Sequence, residues 1–187
     1  MSVEGWTDVD TTTYPKAQRH PQRHGYQLRG DAPTSVVLHT TNNRRKGTAF
    51  DAEATYLLNS SDVSAHYLIG KDGRIVQFLD PRAYQAWHAG AAWDPFRNAR
   101  SIGIELHVSV GEAPMDAQLA AAAALVRQLA AQFGIPAERI ETHRAVALPP
   151  GRKTDPEGWS DAAFSGWRAR LFTPADPPIC GPATCTP

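Results

Sequence analysis

Residues 151 to 156 read Gly-Arg-Lys-Thr-Asp-Pro, and Asp155 follows His143 by twelve positions. Pro156 biases Asp155 towards an extended backbone. In an extended segment residues two apart project to one side, so Lys153 and Asp155 are expected to share a face. A cation and a carboxylate aimed at one spot suggest chemistry, although the hexapeptide alone reads first as a turn-flanked loop carrying a surface ion pair. Two histidines bear on the choice. His39 lies at the end of Ser-Val-Val-Leu-His-Thr (35 to 40), and His143 follows Arg-Ile-Glu-Thr (139 to 142). If both runs are strands, two imidazoles and a carboxylate can meet at one edge of a sheet. Two His and one carboxylate, with a fourth position left for water, form a ligand set of hydrolytic zinc, whereas each histidine taken singly is more often a hydrogen-bonded structural side chain.

The elements that must position these groups follow from periodicity. Residues 35 to 40 form a short apolar run typical of a buried strand. A helix is expected over 50 to 59, then strands at 64 to 69 and 74 to 79 joined by Gly-Lys-Asp-Gly, whose Asp72-Gly73 pair signals a hairpin. Residues 101 to 108 alternate: Ile102, Ile104 and Leu106 take one face, Gly103, Glu105 and His107 the other. A long helix begins near Asp116 as N-cap and ends before Gly134, with Leu119, Val126, Leu129 and Phe133 on one side. A short strand over 139 to 142 follows, and Ser160 caps a last helix bearing Phe164, Trp167 and Leu171. Strands interleaved with helices, and a hairpin that forces one antiparallel pair, predict an α/β single domain with a central mixed β-sheet flanked by α-helices.

The chain has 187 residues, enough for one domain that buries roughly 70% of its unfolded surface. Residues 1 to 34 read as an irregular arm packed on the domain, 35 to 173 as the domain that carries the candidate site and 174 to 187 as a Pro-rich tail or linker. His20 and His24 have helical spacing, but Pro21 between them argues against a helical metal site. Nineteen basic residues balance nineteen acidic ones, so there is no electrostatic footprint for nucleic acid. No apolar run approaches a membrane span, and no secretory pattern opens the chain. A cytoplasmic chain and one released without a signal of its own are both compatible with that, and a monomer is expected. Cys180 and Cys185 could close a small disulfide loop; with no second Cys pair, zinc there is not expected.

The sequence resembles the zinc-dependent N-acetylmuramoyl-L-alanine amidases of the type 2 class, relatives of phage lysozyme-type amidases and peptidoglycan recognition proteins. The resemblance rests on Val-Val-Leu-His-Thr (36 to 40), Val-Ser-Ala-His-Tyr-Leu-Ile-Gly-Lys-Asp-Gly-Arg-Ile-Val-Gln (63 to 77), Ala-Trp-His-Ala-Gly (86 to 90), Ser-Ile-Gly-Ile-Glu-Leu (101 to 106), Asp-Ala-Gln-Leu (116 to 119), and Thr-His-Arg with Pro-Gly-Arg-Lys-Thr-Asp-Pro (142 to 144 and 150 to 156). It implies one Zn2+ per chain held by His39, His143 and Asp155, with Glu105 as catalytic acid/base and Lys153 as the cation beside the metal. It implies hydrolysis of the amide between N-acetylmuramic acid and L-alanine, in peptidoglycan or muropeptides. An amide is a poor electrophile, so the reaction needs an activated water, a carboxylate to move its proton and a positive charge for the oxyanion. Trp87, His88 and Trp93 are candidates for a sugar or peptide wall.

Some relatives place a catalytic Tyr where this chain has Ala65; Glu105 is the consistent substitute, and Tyr67 takes no catalytic role. His66 is expected to pack, and His107 either tunes Glu105 or does nothing. Ala-Val-Ala-Leu-Pro-Pro lengthens the connection after His143, and Glu157 separates Pro156 from Gly158. Closure entropy rises slowly with loop length, so the ligand assignment tolerates this. A non-catalytic peptidoglycan-binding module is the competing reading, disfavoured because all three ligand positions keep competent side chains. A zinc peptidase is weaker still, since no His-Glu-x-x-His motif occurs. Host or phage origin, and intact wall or soluble anhydro-muropeptide, stay open.

Overall fold

Val36, Val37 and Leu38 are withdrawn from solvent completely, and a strand this apolar must have both faces and both edges covered. The computed structural model describes residues 26–43, 47–90 and 97–173. In it, β2 (Ser35–Thr40) is flanked by two parallel neighbours, β6 (Ser101–Leu106) and β7 (Ile140–Thr142). Beyond β6 lies the hairpin of β3 (Tyr67–Ile69) and β4 (Ile75–Gln77), giving the order β4-β3-β6-β2-β7 with only the β3/β4 pair antiparallel. The hairpin turns at Gly73, whose φ of 87° suits glycine. The result is a mixed α/β single domain.

Alternation along the strands divides the core. Val36, Leu38, Ile102, Ile104, Tyr67 and Ile69 face α3 (Asp116–Phe133) and α5 (Asp161–Ala169), packing on Leu125, Val126, Leu129, Phe164 and Trp167. The opposite face receives α1 (Phe50–Asn59), whose Phe50, Ala54 and Leu57 meet Leu68, Val76 and Phe78. Each aliphatic side chain buried in full contributes about 1.5–3 kcal/mol, and a register slip of one residue would turn every one outward. The register pairs His39 with Glu105. Both therefore project from the face opposite α3.

Several boundaries differ from expectation. The hairpin strands are shorter, and Asp116 is the first residue of α3 while Met115 is its cap; Gln118 Oε1 accepts from the Met115 N–H at 3.3 Å. Ser160 caps α5 as expected, accepting from Ala163 N–H at 3.2 Å. A two-stranded sheet of β1 (Tyr26–Leu28) and β5 (Tyr84–Ala86) was not foreseen, so residues 26–28 of the expected irregular arm are a strand. Two four-residue helices were also not foreseen, α2 (Arg97–Arg100) and α4 (His143–Val146). Residues 1–25 of the arm with His20 and His24, Trp93, and the tail with Cys180 and Cys185 lie outside the described residues. Among the described residues no helix is long and apolar enough to cross a membrane.

Gly158 pins the loop after Asp155 to the turn at 109–113. Its φ is +72°, and a Cβ there would stand 2.1 Å from the Glu112 carbonyl oxygen. Gly158→Ala is expected to cost at least about 2 kcal/mol, from left-handed strain plus displacement of backbone. Denaturant unfolding measures it, and an unchanged midpoint would show that the loop relaxes freely.

Candidate metal centre and cleft

The carboxyl ends of parallel strands are where a sheet of this kind presents functional groups. His39 sits at that end of β2, and His143 immediately follows β7, the strand beside it. The chain then passes through α4 and the 147–154 loop to bring Asp155 alongside. His39 Nδ1, His143 Nδ1 and Asp155 Oδ2 form a triangle with every side 3.0 Å. All three residues are buried, and together they form a cluster able to hold a metal ion.

Hydrogen bonding behind the cluster tests the fit. His143 Nε2 lies 3.0 Å from the Ala89 carbonyl, which can only accept, so Nε2 carries the proton and Nδ1 of the neutral ring carries a lone pair. That lone pair faces a carboxylate oxygen. Two acceptors at this distance need a positive species between them, and a cation bound by the three atoms meets the need. Burial pushes the Asp155 carboxyl up, but the two imidazoles against it more than offset this and hold it well below the usual carboxylate range. Burial lowers His39 against the opposing pull of Asp155, favouring the neutral ring that a metal requires.

A cavity of about 240 Å³ opens over the triangle, lined also by Glu105, Lys153, Glu53, Thr41, Asn42 and Tyr56. Glu105 Oε2 is buried and, among the described residues, has no hydrogen-bond partner. Its carboxyl group is raised well above its ordinary range, first by burial and then by the Asp155 and Glu53 carboxylates, with Lys153 opposing. A buried unpaired carboxylate oxygen is unusual in a folded protein, and an open cavity beside it is a reason for one.

The N-acetylmuramoyl-L-alanine amidase sequence profile (Amidase_2) matches residues 29–158. The chain belongs to this family. The 1,6-anhydro-N-acetylmuramyl-L-alanine amidase AmpD of Salmonella typhimurium (strain SL1344) is 44% identical over 97 residues, 50% of this chain and 50% of that protein. AmpD of Escherichia coli (strain K12) is 36% identical over 159 residues, 75% of this chain and 85% of the relative. The aligned stretch thus spans about half the length of the first of these relatives. In three dimensions, a crystal structure of a selenomethionine AmpD derivative superposes with a TM-score of 0.62 at 29% identity, covering 89% of this chain and 98% of that one.

Within this amidase fold, the departures of the ligand loop are absorbed locally. Glu157, the additional residue before Gly158, donates its backbone N–H to Thr40 Oγ1 at 3.1 Å and accepts from Thr154 Oγ1 at 2.5 Å. Arg144, not singled out in the sequence, clamps the whole loop. Its guanidinium reaches the carbonyls of Thr154, Pro156 and Trp159 as well as Asp161, while its backbone N–H donates to the Asp155 carbonyl at 2.8 Å. A basic residue directly after a candidate ligand histidine, with a carbonyl-rich Pro/Gly loop to come, was the available signal.

Glu53 was missed as well. In α1 it looks like a solvated acid, yet it is 8% exposed and is held by Asn43 Nδ2. Its place on the stripe of Phe50, Ala54 and Leu57 could have marked it. His88, expected at a substrate wall, has both ring nitrogens committed inside the protein, to His39 and Ser101. Trp87 is 41% exposed. His66 packs, with Nδ1 accepting from Gly103 N–H at 2.9 Å, and His107 lies edge-on to Phe50.

Proposed function

We propose that the chain hydrolyses the amide between the lactyl group of N-acetylmuramic acid and L-alanine, using one Zn2+ held by His39, His143 and Asp155. The observation that carries this is the 3.0 Å triangle of metal-competent atoms sharing one cavity with an unpaired Glu105 oxygen and with Lys153. When bound, zinc supplies Lewis acidity that brings the pKa of a water towards neutrality. Glu105 would take the proton from the attacking water as the water oxygen bonds to the amide carbon, then deliver it to the nitrogen as the carbon–nitrogen bond breaks. The raised carboxyl pKa suits both halves of this transfer. Lys153 offers its charge to the oxyanion. Trp87 provides a flat face for the sugar or peptide, a role proposed for Trp93 as well.

The relatives' names, which specify a 1,6-anhydro-muramyl amide, support a soluble muropeptide as substrate. Mass spectrometry of digests tests the reading on both soluble anhydro-muropeptides and whole sacculi. New L-alanine N-termini with intact glycan are expected, formed faster on the soluble substrate. Cuts inside the stem peptide would indicate a peptidase, and unchanged material a binding module.

A further inference from the structure

The two imidazoles of the metal cluster are backed by adjacent residues of one turn. His143 Nε2 meets the Ala89 carbonyl at 3.0 Å, and His39 Nε2 meets His88 Nδ1 at 2.9 Å. The second contact is ambiguous by itself, because either imidazole can be donor or acceptor. The contacts beyond it remove the ambiguity. The Arg97 carbonyl can only accept, so the Ser101 hydroxyl donates to it, at 2.6 Å. With its proton committed there, Ser101 Oγ accepts from His88 Nε2–H at 3.0 Å. Neutral His88 then carries its lone pair on Nδ1 and accepts from His39 Nε2–H. His39 Nδ1 is left with a lone pair aimed at Asp155 and His143.

The same short stretch of chain holds the turn in place. The backbone N–H groups of His88 and Ala89 both donate to Asn98 Oδ1, at 3.2 and 2.9 Å. Gly103 leaves room for the His88 ring, since a Cβ there would stand 2.5 Å from its Cγ. Residues 97 to 103 thus direct an amide oxygen, a hydroxyl and a gap at one turn, and supply the carbonyl that orients the hydroxyl.

We propose that Arg97, Ser101 and His88 form a proton-ordered relay that presets the Nδ1-ligating tautomer of His39, with His88 a positioning residue. The proposal rests on the reading of His39 as a zinc ligand. Without the relay, His39 can place its proton on Nδ1, and metal binding must first reverse that tautomer. Outer-shell partners of metal-bound histidines are typically worth about 10- to 100-fold in affinity, and a loss of that size is expected here.

The test uses the full chain labelled with nitrogen-15 at histidine. Ring proton–nitrogen correlation spectra of the metal-free protein at mildly alkaline pH should show His39 and His88 both as Nε2–H tautomers. In Ser101→Ala this order should be lost, and zinc affinity, read by competition with a chromophoric chelator, should fall about 10- to 100-fold. His88→Asn places an amide oxygen near the former Nδ1 and should keep the His39 tautomer and most of the affinity; His88→Leu should keep neither. This pair carries the test if Ser101→Ala does not fold. A wild-type His39 protonated at Nδ1 would overturn the relay. So would His88→Leu binding zinc within about twofold of wild type, far inside the outer-shell range. A wild-type chain that takes no zinc would instead sink the proposed function, with the ring spectra still deciding the relay.

Discussion

Glu105→Gln is expected to slow amide hydrolysis by about 10²- to 10⁴-fold while zinc content stays that of wild type, the loss associated with removing general acid/base help. Gln keeps the shape of Glu but can neither take the proton from water nor pass it to the leaving nitrogen. The fold should not suffer, because among the described residues the buried Oε2 has no hydrogen-bond partner to lose. The sign of the stability change can be worked out. Burial raises the folded-state pKa of Glu105 above its unfolded value, so its ionisation works against folding once the pH exceeds the unfolded value of about 4.3. Metal-free Glu105→Gln should therefore be at least as stable as wild type at neutral pH, with the difference closing as the pH falls towards that value. The wild-type rate should decline on acidification through the raised pKa, and the variant should lack that limb. Turnover near wild type, measured on a soluble muropeptide, would remove Glu105 from the mechanism.

Asp155→Ala should lose zinc altogether under conditions that leave wild type with one ion per chain, and activity with it. Asp155 is the anionic member of the triangle, and without it two neutral imidazoles remain. Loss of a directly ligating group should exceed the about 10- to 100-fold typical of outer-shell partners. The loop itself should stay placed, since Arg144 holds it through backbone carbonyls, including that of Asp155. Elemental analysis of the purified variant is the measurement, with circular dichroism to show that it is folded. Full retention of one zinc per chain would end the ligand assignment.

Much of the fold was legible because its largest elements carry uninterrupted patterns. The bounds of β2 and α1 match their expected positions, and Gly134, in the left-handed conformation, ends α3 where its sequence suggested. Three-residue strands such as Tyr26–Leu28 and Tyr84–Ala86 escaped, since so few residues of mixed polarity establish no period. Helices as short as α2 have no stripe to detect. The same reasoning explains His143, read as a strand end: it follows β7 directly and also opens α4.

For the centre, the sequence by itself determined which donor types were available and which faces they took. Strand alternation, enforced by burying Val36, Leu38, Ile102 and Ile104 against the helices, was enough to send His39 and Glu105 away from that core. Only the tertiary structure decided that His39 would meet His143 across 104 positions and Asp155 across 116. Periodicity encodes the direction of a side chain relative to its own element and says nothing about which distant strand lies beside it. Strand order is settled by burying both faces of β2 and β6 at once. The proton positions needed still more, because the tautomer of His39 depends on a hydrogen-bond chain running through His88 and Ser101 to a carbonyl whose place follows from the packing of the whole domain.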